Sequence, residues 1–563
     1  MRREVSVVNK KVCSFPILFA LLALLIGTCA VVFPASAQAA PTSTGSITVS
    51  GTVASSYDAY QIFSANVVDG DSDAKIATDL AWASDAVRDA ALPVLHSAGM
   101  PKSQTTAREA AEWLNTDSHL TSALSAQLAR SLQSSSAVSV ALNAGTAAEL
   151  PCGYWLIVAD DDAIAQGEAG TAPIVALVGG SAVTVKPKAA TPKVSKHVLE
   201  DGTAAWQKAA DATVADDLYW RLSATVPAGL TAYDTYTVRF VDTMSAGLDP
   251  SKVAASMRVY VAAGADGGFD AVSAGKGGRT GTEPAKGWTD ITAQCATKVA
   301  ADGKTFTVRT GDLIAALGGA DAFTAGARVV AVYNAPLNSA CNHGIAKGNP
   351  NEVYLRYPRS PFADQSGDAG FTRTPSDDAC AYTWDLALTK RGSDGDKPLA
   401  GAVLSIADDR GRTLAADGTW DAEGKATVTT GEDGRVTVSG VDSGKLEVRE
   451  LKAPKGYTAF EGTRSVTVKA EGLDVDQVAA AKPKLTITAE SPLRSDSADG
   501  STGSLEASLI NTPTGTPPST ITGGFIPSTG DMAMYAAAAA AVAGAALIVV
   551  ALLVKRGGGN HAE

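Results

Sequence analysis

The sequence predicts a mainly β protein, in which tandem β-sandwich domains follow an α+β N-terminal domain. Three observations lead there. Short stretches of alternating apolar and polar residues recur along most of the chain, bounded by clusters of turn-forming residues. Helix-like text is concentrated in one region near the N-terminus, whose clearest piece is "TTAREAAEWL". At 563 residues, the chain exceeds what one core organises and is long enough for about three or four domains.

The two ends read as targeting segments rather than as domain text. "MRREVSVVNKKVCSFPILFALLALLIGTCAVVFPASAQAA" has a basic start, an apolar middle and small residues at Ala37 and Ala39. This is the pattern of a secretory signal peptide over residues 1–39, cleaved after Ala39. The mature chain is therefore expected outside the cytoplasm. Of the six cysteines, Cys13 and Cys29 leave with the signal; Cys152, Cys295, Cys341 and Cys380 remain where disulfides persist. One bridge is expected among the last three, with the pairing open. At the other end, an apolar stretch of roughly twenty residues over 533–554 is long enough to cross a bilayer, and Lys555 and Arg556 follow it. A net charge of −12, with no basic stripe, argues against nucleic acid as a partner.

Between these ends, "TGSITVSGTVASSYDAYQIFSANVVDG" alternates like strands. The helical region follows, and Thr106 with Glu109 three residues later forms a capping-box signature. Strand-like text returns in "CGYWLIVAD", "PIVALVGG" and "SAVTVKPK", which closes a first α+β domain at 41–188. A second segment, 189–382, is rich in β-branched and aromatic residues and carries a glycine-rich insertion, "GADGGFDAVSAGKGGRTGTEPAKG". The insertion reads as a loop and lacks the GxxxxGK[ST] phosphate-binding pattern. A third segment, 383–513, has short strands separated by "GSDGDKP", "EDGR" and "KAPKGY", the spacing of a β-sandwich. Residues 514–525, rich in Pro, Thr and Gly, read as an extended linker.

Strand periodicity exposes an anomaly in the third segment. In "WDLALTK", period two puts Lys390 on the same face as Trp384, Leu386 and Leu388. In "LEASLIN", Asn511 shares a face with Leu505, Ala507 and Leu509; in "LEVRE", Glu450 shares one with Leu446 and Val448. Three polar groups thus point at one core. An unpaired buried ammonium is prohibitively costly, so the groups pair or react. Burial lowers a lysine pKa and raises a glutamate pKa, which favours a neutral amine beside a protonated acid. Such an amine can attack the Asn511 carboxamide while Glu450 moves protons to the departing ammonia, leaving a Lys390–Asn511 isopeptide bond. The alternatives are an unreactive buried Lys–Glu pair, or strand ends where all three groups are solvated.

These residues also carry a resemblance. "LEVRELKAPKGY" resembles the E-box of Cna B-type domains (YxLxETxAPxGY), with Glu450 at the catalytic glutamate, and "LALTKRG" and "SLINTP" match the lysine and asparagine strands. Leu451 and Leu446 depart from the family pattern at positions that do not react. The same logic applies to the second segment. There Val194, Lys196 and Val198 alternate on one face, as do Val238, Phe240 and Asp242, and Asn351, Val353 and Leu355. "FVDTMSAGL" and "GNPNEVYLRYPRSP" resemble the second domain of Gram-positive backbone pilins, which implies a Lys196–Asn351 isopeptide assisted by Asp242. Asn338 in "APLNSA" is a rival partner, and "YPRSP" replaces the family's "YSNNP".

The C-terminal region resembles a cell-wall sorting signal over 526–563. Ile526-Pro527-Ser528-Thr529-Gly530 resembles LPXTG with Ile for Leu, followed by the apolar span and the basic tail. In that family a sortase cuts between the residues matching Thr529 and Gly530 and joins the threonine to an amine; a retained membrane anchor is the alternative. "VTVKPKAATPKVSKHV" resembles the pilin motif and places Lys188 at the acceptor lysine, although Lys186 replaces the motif tyrosine and the upstream tryptophan is missing. "YDAYQIFSA" resembles the opening of fimbrial N-terminal domains. Together these resemblances imply Ig-like/Cna-type sandwiches in the backbone subunit of a sortase-assembled pilus on a Gram-positive surface. Implied partners are identical subunits, pilin-specific and housekeeping sortases, peptidoglycan and a surface receptor. A monomeric wall-anchored adhesin and an accessory tip or base pilin are the alternatives. No cofactor or metal is expected: "DGDSDA" lacks the glycine and terminal glutamate of a calcium loop. The five histidines show neither HExxH nor a Ser-His-Asp context, so no enzyme acting on an external substrate is indicated.

Overall fold

The computed structural model describes residues 43–71, 74–116, 118–187, 191–228, 230–264 and 287–515. The signal sequence, Lys188, nearly all of the glycine-rich insertion, the linker from 516 onward and the sorting motif with Thr529 and Gly530 lie outside the described residues.

The first strands belong to two sheets. Thr44–Val49 lies between Ala147–Pro151 (antiparallel) and Val183–Val185 (parallel). Ser56–Asp69 is the long strand of a five-stranded sheet, paired with Lys75–Trp82, Ser139–Asn143 and Gly153–Ala159; the last also pairs with Ile174–Val178. Gly153–Ala159 is buried along its whole length because both of its faces are covered. Trp155 and Ile157 pack toward the three-stranded sheet, while Leu156 and Val158 pack toward the helices, as period two requires.

Three helices cover the second face. Asp85–Ser97 starts at Ser84, whose side chain accepts from the Val87 N–H, and Ser122–Gln133 starts at Thr121 in the same way. Ala107–Asn115 has the expected capping box: Thr106 Oγ1 accepts from the Glu109 N–H, and Glu109 Oε2 accepts from the Thr106 N–H. Their apolar stripes, including Val87, Leu95, Leu124, Leu128 and Leu132, close a core with Tyr60, Ile62 and Phe63.

Two sheets then face each other across the second core. One runs in the order Ala205–Gln207, Val194–Glu200, Tyr219–Thr225, Arg328–Asn334, Arg258–Ala262, Trp288–Asp290. The other runs Ala209–Asp211, Asp377–Tyr382, Asn349–Pro358, Arg239–Met244, Thr305–Arg309, Ala296–Val299, with Phe371–Arg373 added beside Asn349–Pro358. Trp220, Phe240, Phe306, Tyr333, Leu355 and Tyr357 fill the space between them.

The third core lies between a sheet centred on Trp384–Gly392 and Ser504–Pro513 and a second sheet containing Val403–Ala407, Gly444–Lys452, Thr463–Glu471 and Lys484–Ala489. Trp384–Gly392 and Ser504–Pro513 run parallel, in register from Asp385 opposite Ser504 to Gly392 opposite Asn511. The observed architecture is thus mainly β in successive sandwiches, with the long helices in the N-terminal part and two single-turn helices, Val253–Ser256 and Leu313–Ala316, in the middle part.

One expectation is corrected. Cys152, Cys295, Cys341 and Cys380 are all free thiols, so no bridge joins any of the last three. Cys295 Sγ donates to the Ile291 carbonyl, and Cys380 Sγ turns toward the Ala381 carbonyl. Burial pushes the Cys295, Cys341 and Cys380 thiols up to about 11, which keeps them protonated.

Candidate functional site

Two buried lysines, one in each of the two later cores, organise the candidate chemistry. Lys390 is fully buried on Trp384–Gly392, beside Leu386 and Leu388 on the core-facing side of the strand. Its Nζ donates to Asn511 Oδ1 in a short contact and stands 3.2 Å from Glu450 Oε1. Glu450 reaches in from the opposite sheet, on Gly444–Lys452, and both its oxygens accept from Asn511 Nδ2, at 2.9 and 3.1 Å. The backbone N–H of Phe460 holds Glu450 Oε2 at 3.0 Å. Asn511 is thus oriented with its oxygen toward the amine and its nitrogen toward the acid. Burial pulls the Lys390 pKa down to about 8 against the opposing pull of Glu450.

Lys196, fully buried on Val194–Glu200, is the centre of the second cluster. Its Nζ donates to Asp242 Oδ2 in a short contact and to the Tyr333 hydroxyl at 2.8 Å. The rings of Trp220 and Tyr333 each lie 5.4 Å from Nζ, so aromatic faces replace its water. Asp242 and Asn351 come from the opposite sheet, two residues apart in register on adjacent strands: Met244 faces Asn351 and Asp242 faces Val353. Asn351 Nδ2 donates to Tyr333 Oη at 2.8 Å, and that hydroxyl donates to Asp242 Oδ2 at 3.2 Å. Burial lowers Lys196 to about 8 and raises Asp242 from its ordinary value, with the two groups' mutual attraction acting against both shifts. Burial also pushes the Tyr333 phenol well above its ordinary value, so it stays protonated.

The structure therefore brings together Lys390, Glu450 and Asn511, and separately Lys196, Asp242 and Asn351. The rival Asn338 lies apart from the second cluster, with Nδ2 donating to the Ala246 carbonyl and Oδ1 accepting from the Ala340 N–H. Two features escaped sequence reasoning. Tyr333 was legible in "RVVAVYN", where it shares parity with Val329 and Ala331, but no pattern marked its hydroxyl as part of a site. Lys208 is the other: its Nζ donates to the Lys196 carbonyl and to Asp377 Oδ2, and the same carboxylate oxygen accepts the Lys196 N–H at 2.7 Å. This pair fixes the backbone that carries Lys196. Nothing in the local sequence at Lys208 announced it.

Each cluster holds a nucleophile, an amide and an acid in a buried core, the set needed for amide transfer. Residues 385–482 match the family model "SpaA: Prealbumin-like fold domain". Over 143 residues, 24% of this chain, the sequence is 30% identical to the trypsin-resistant surface T6 protein of Streptococcus pyogenes serotype M6, and the match spans about a quarter of that relative's length (24%). Among solved structures, the T6 backbone pilin of serotype M6 Streptococcus pyogenes is similar at TM-score 0.45 and 16% identity, covering 84% of this chain and 98% of that one. The full-length major pilin SpaD of Corynebacterium diphtheriae is similar at TM-score 0.40 and 15% identity, with the same coverage of 84% and 98%. Residues 385–482 thus match a SpaA-type prealbumin-like fold domain, and about a quarter of the chain is similar to a streptococcal surface protein.

Proposed function

We propose that this protein is the structural shaft subunit of a covalent pilus on a Gram-positive cell surface, cross-linked internally by Lys390–Asn511 and Lys196–Asn351 isopeptide bonds. The observation that carries the reading is the Lys390 cluster, where the amine meets the amide oxygen and the acid holds the leaving nitrogen. Attack of neutral Nζ on the Asn511 carbonyl carbon forms the new C–N bond. Glu450 takes a proton from Nζ and delivers one to Nδ2, the old C–N bond breaks, and ammonia leaves. Asp242 serves the same purpose for Lys196 and Asn351.

In this reading a pilin sortase cuts between Thr529 and Gly530 and joins Thr529 to Lys188 of the next subunit, and the housekeeping sortase attaches the last copy to peptidoglycan. The protein is then a substrate and a scaffold, and its only chemistry is on itself. The sorting motif, the export signal and the surface-protein relative support a place on the cell wall.

The test is an immunoblot of cell-wall extracts boiled in detergent, comparing wild type with Lys188→Ala. A ladder of high-mass species that collapses to monomer in the variant is expected. A single band in both would replace the shaft with a monomeric anchored adhesin, and a ladder in both would move the linkage to another lysine, such as Lys186 or Lys193.

A further inference from the structure

The two clusters differ in one respect that bears on their chemistry. Glu450 touches both reacting nitrogens itself, with Lys390 Nζ at 3.2 Å and Asn511 Nδ2 at 2.9 Å from the same oxygen. Asp242 is one methylene shorter. It contacts Lys196 Nζ, but its second oxygen, Oδ1, is buried without a hydrogen bond, as is Asn351 Oδ1. The Asn351 nitrogen is bonded instead to the Tyr333 hydroxyl, which also accepts from Lys196 Nζ and donates to Asp242 Oδ2. One oxygen atom therefore touches nucleophile, leaving group and acid.

We propose that Tyr333 is a catalytic residue of the Lys196–Asn351 reaction, relaying a proton from Asp242 to the departing nitrogen of Asn351. The inference rests on the cross-linking function proposed above. The proton balance is simple. Asp242 receives one proton from Nζ after attack; the Tyr333 hydroxyl passes one proton to Nδ2 and is reprotonated from Asp242. The Cγ–Nδ2 bond breaks and ammonia departs, with the phenol and carboxyl back in their starting states. A neutral hydroxyl suits this relay because it can accept and donate at once. Its ring is held edge-on against Phe306 at 4.8 Å, which fixes the hydroxyl in the gap. In the other cluster the longer glutamate spans the same gap, and among the described residues no tyrosine hydroxyl bonds to Lys390 or Asn511.

The experiment uses the full chain made by cell-free translation, quenched in acidic denaturant at successive times and digested for mass spectrometry of the two cross-linked peptides. The Lys390–Asn511 peptide is an internal clock for folding in the same molecules. Tyr333→Phe keeps the ring and removes the hydroxyl; it is expected to slow the Lys196–Asn351 bond by roughly tenfold to a hundredfold, the scale of general acid–base assistance, and to leave the clock unchanged. Adding Asp242→Glu to Tyr333→Phe should restore much of the rate, because the longer acid reaches Nδ2 unaided. Wild-type speed in Tyr333→Phe overturns the proposal, and so does a loss that the longer acid fails to relieve, since that marks a packing role. Absence of the Lys196–Asn351 peptide from wild type refutes the cross-link itself, which is a separate failure.

Discussion

Lys390 and Asn511 stand on neighbouring parallel strands, the first and last strands of the C-terminal sandwich, although 121 positions separate them in sequence. Lys196 and Asn351 occupy a different relationship, on opposite sheets of the middle sandwich. A bond at the first pair closes a sheet along its edge-to-edge direction; a bond at the second staples two sheets through their shared core. In both, the acid comes from the sheet opposite the lysine, so neither cluster assembles until two sheets have docked.

Replacing Glu450 with Gln keeps the side-chain shape and removes the proton carrier. The variant is expected to be heavier than wild type by one ammonia, beyond the small mass change of the substitution, when intact masses are compared. Closing a loop of 121 residues is worth about 5 kcal/mol in the chain-entropy account of cross-links. Chemical denaturation should show a loss of that order, and equal masses after correction for the substitution would refute the Lys390–Asn511 bond.

With both proposed isopeptide bonds in place, a load applied between the ends of the folded body would run along the chain to Lys196, cross to Asn351, continue to Lys390 and cross again to Asn511. The chain between each bonded pair is then shielded. Single-molecule stretching of wild type should therefore show no unfolding step from residues 391–510. Glu450→Gln should release that stretch as a step of roughly 400 Å, from about 3.5 Å per extended residue. A wild-type step of the same length would contradict the bond.

The unreacted lysines carry a pH signature. Lys390 is lowered from 10.5 to about 8 in the folded chain, so between these values the unfolded chain binds more protons than the native one. Stability of an unreacted chain accordingly rises with pH through that window. In Asn511→Ala, which keeps the amine and Glu450 but removes the electrophile, the gain between pH 8 and 10.5 should be on the order of 3 kcal/mol. It is measured against a Lys390→Met, Asn511→Ala double variant by urea unfolding across pH. Parallel curves for the two variants would mean that the amine is not desolvated as described.

Much of this was legible because a strand's period is two and each clustered polar group sits where an apolar residue belongs. Lys390 follows Trp384, Leu386 and Leu388 on one face, and the structure buries all four. The same parity rule located Asp242 and Asn351. Pairing between distant strands was not legible from periodicity. Nothing in "RVVAVYN" reveals that Tyr333 lies across Tyr219–Thr225 from Lys196, because that neighbourhood is created by sheet order. Cysteine counting also failed: an exporting signal makes bridges permissible, but geometry decides whether they form. The capping box at Thr106 and Glu109 succeeded because both partners lie within one turn of chain.

The junction between the middle and C-terminal sandwiches supplies the last prediction. Asp211 Oδ2 accepts from the Trp384 indole at 2.6 Å and from the Ser443 N–H at 3.0 Å, bridging the two bodies. Glu200 Oε2 accepts the Asp211 N–H, and Asp201 and Asp442 lie close by, so four acids crowd one joint. Arg410 and Arg412 engage Asp216 beside it, and Arg410 also reaches Asp201. Burial first, then Asp211 and Asp201, holds Glu200 up to about 8, and Asp442 is raised by the same causes. A carboxyl raised in the folded state binds its proton there while the unfolded chain has released it. The stability it contributes is therefore complete below about pH 4.5 and is lost as pH rises toward 8. Glu200→Gln cannot ionise, so it should match wild type near pH 4.5 and exceed it in melting temperature near pH 8.5, in calorimetric scans over that range. Wild-type and variant curves that stay parallel would show that the joint does not hold Glu200 protonated, and would leave its cohesion to the Asp211 bridge and to the ion pairs of Arg410 and Arg412.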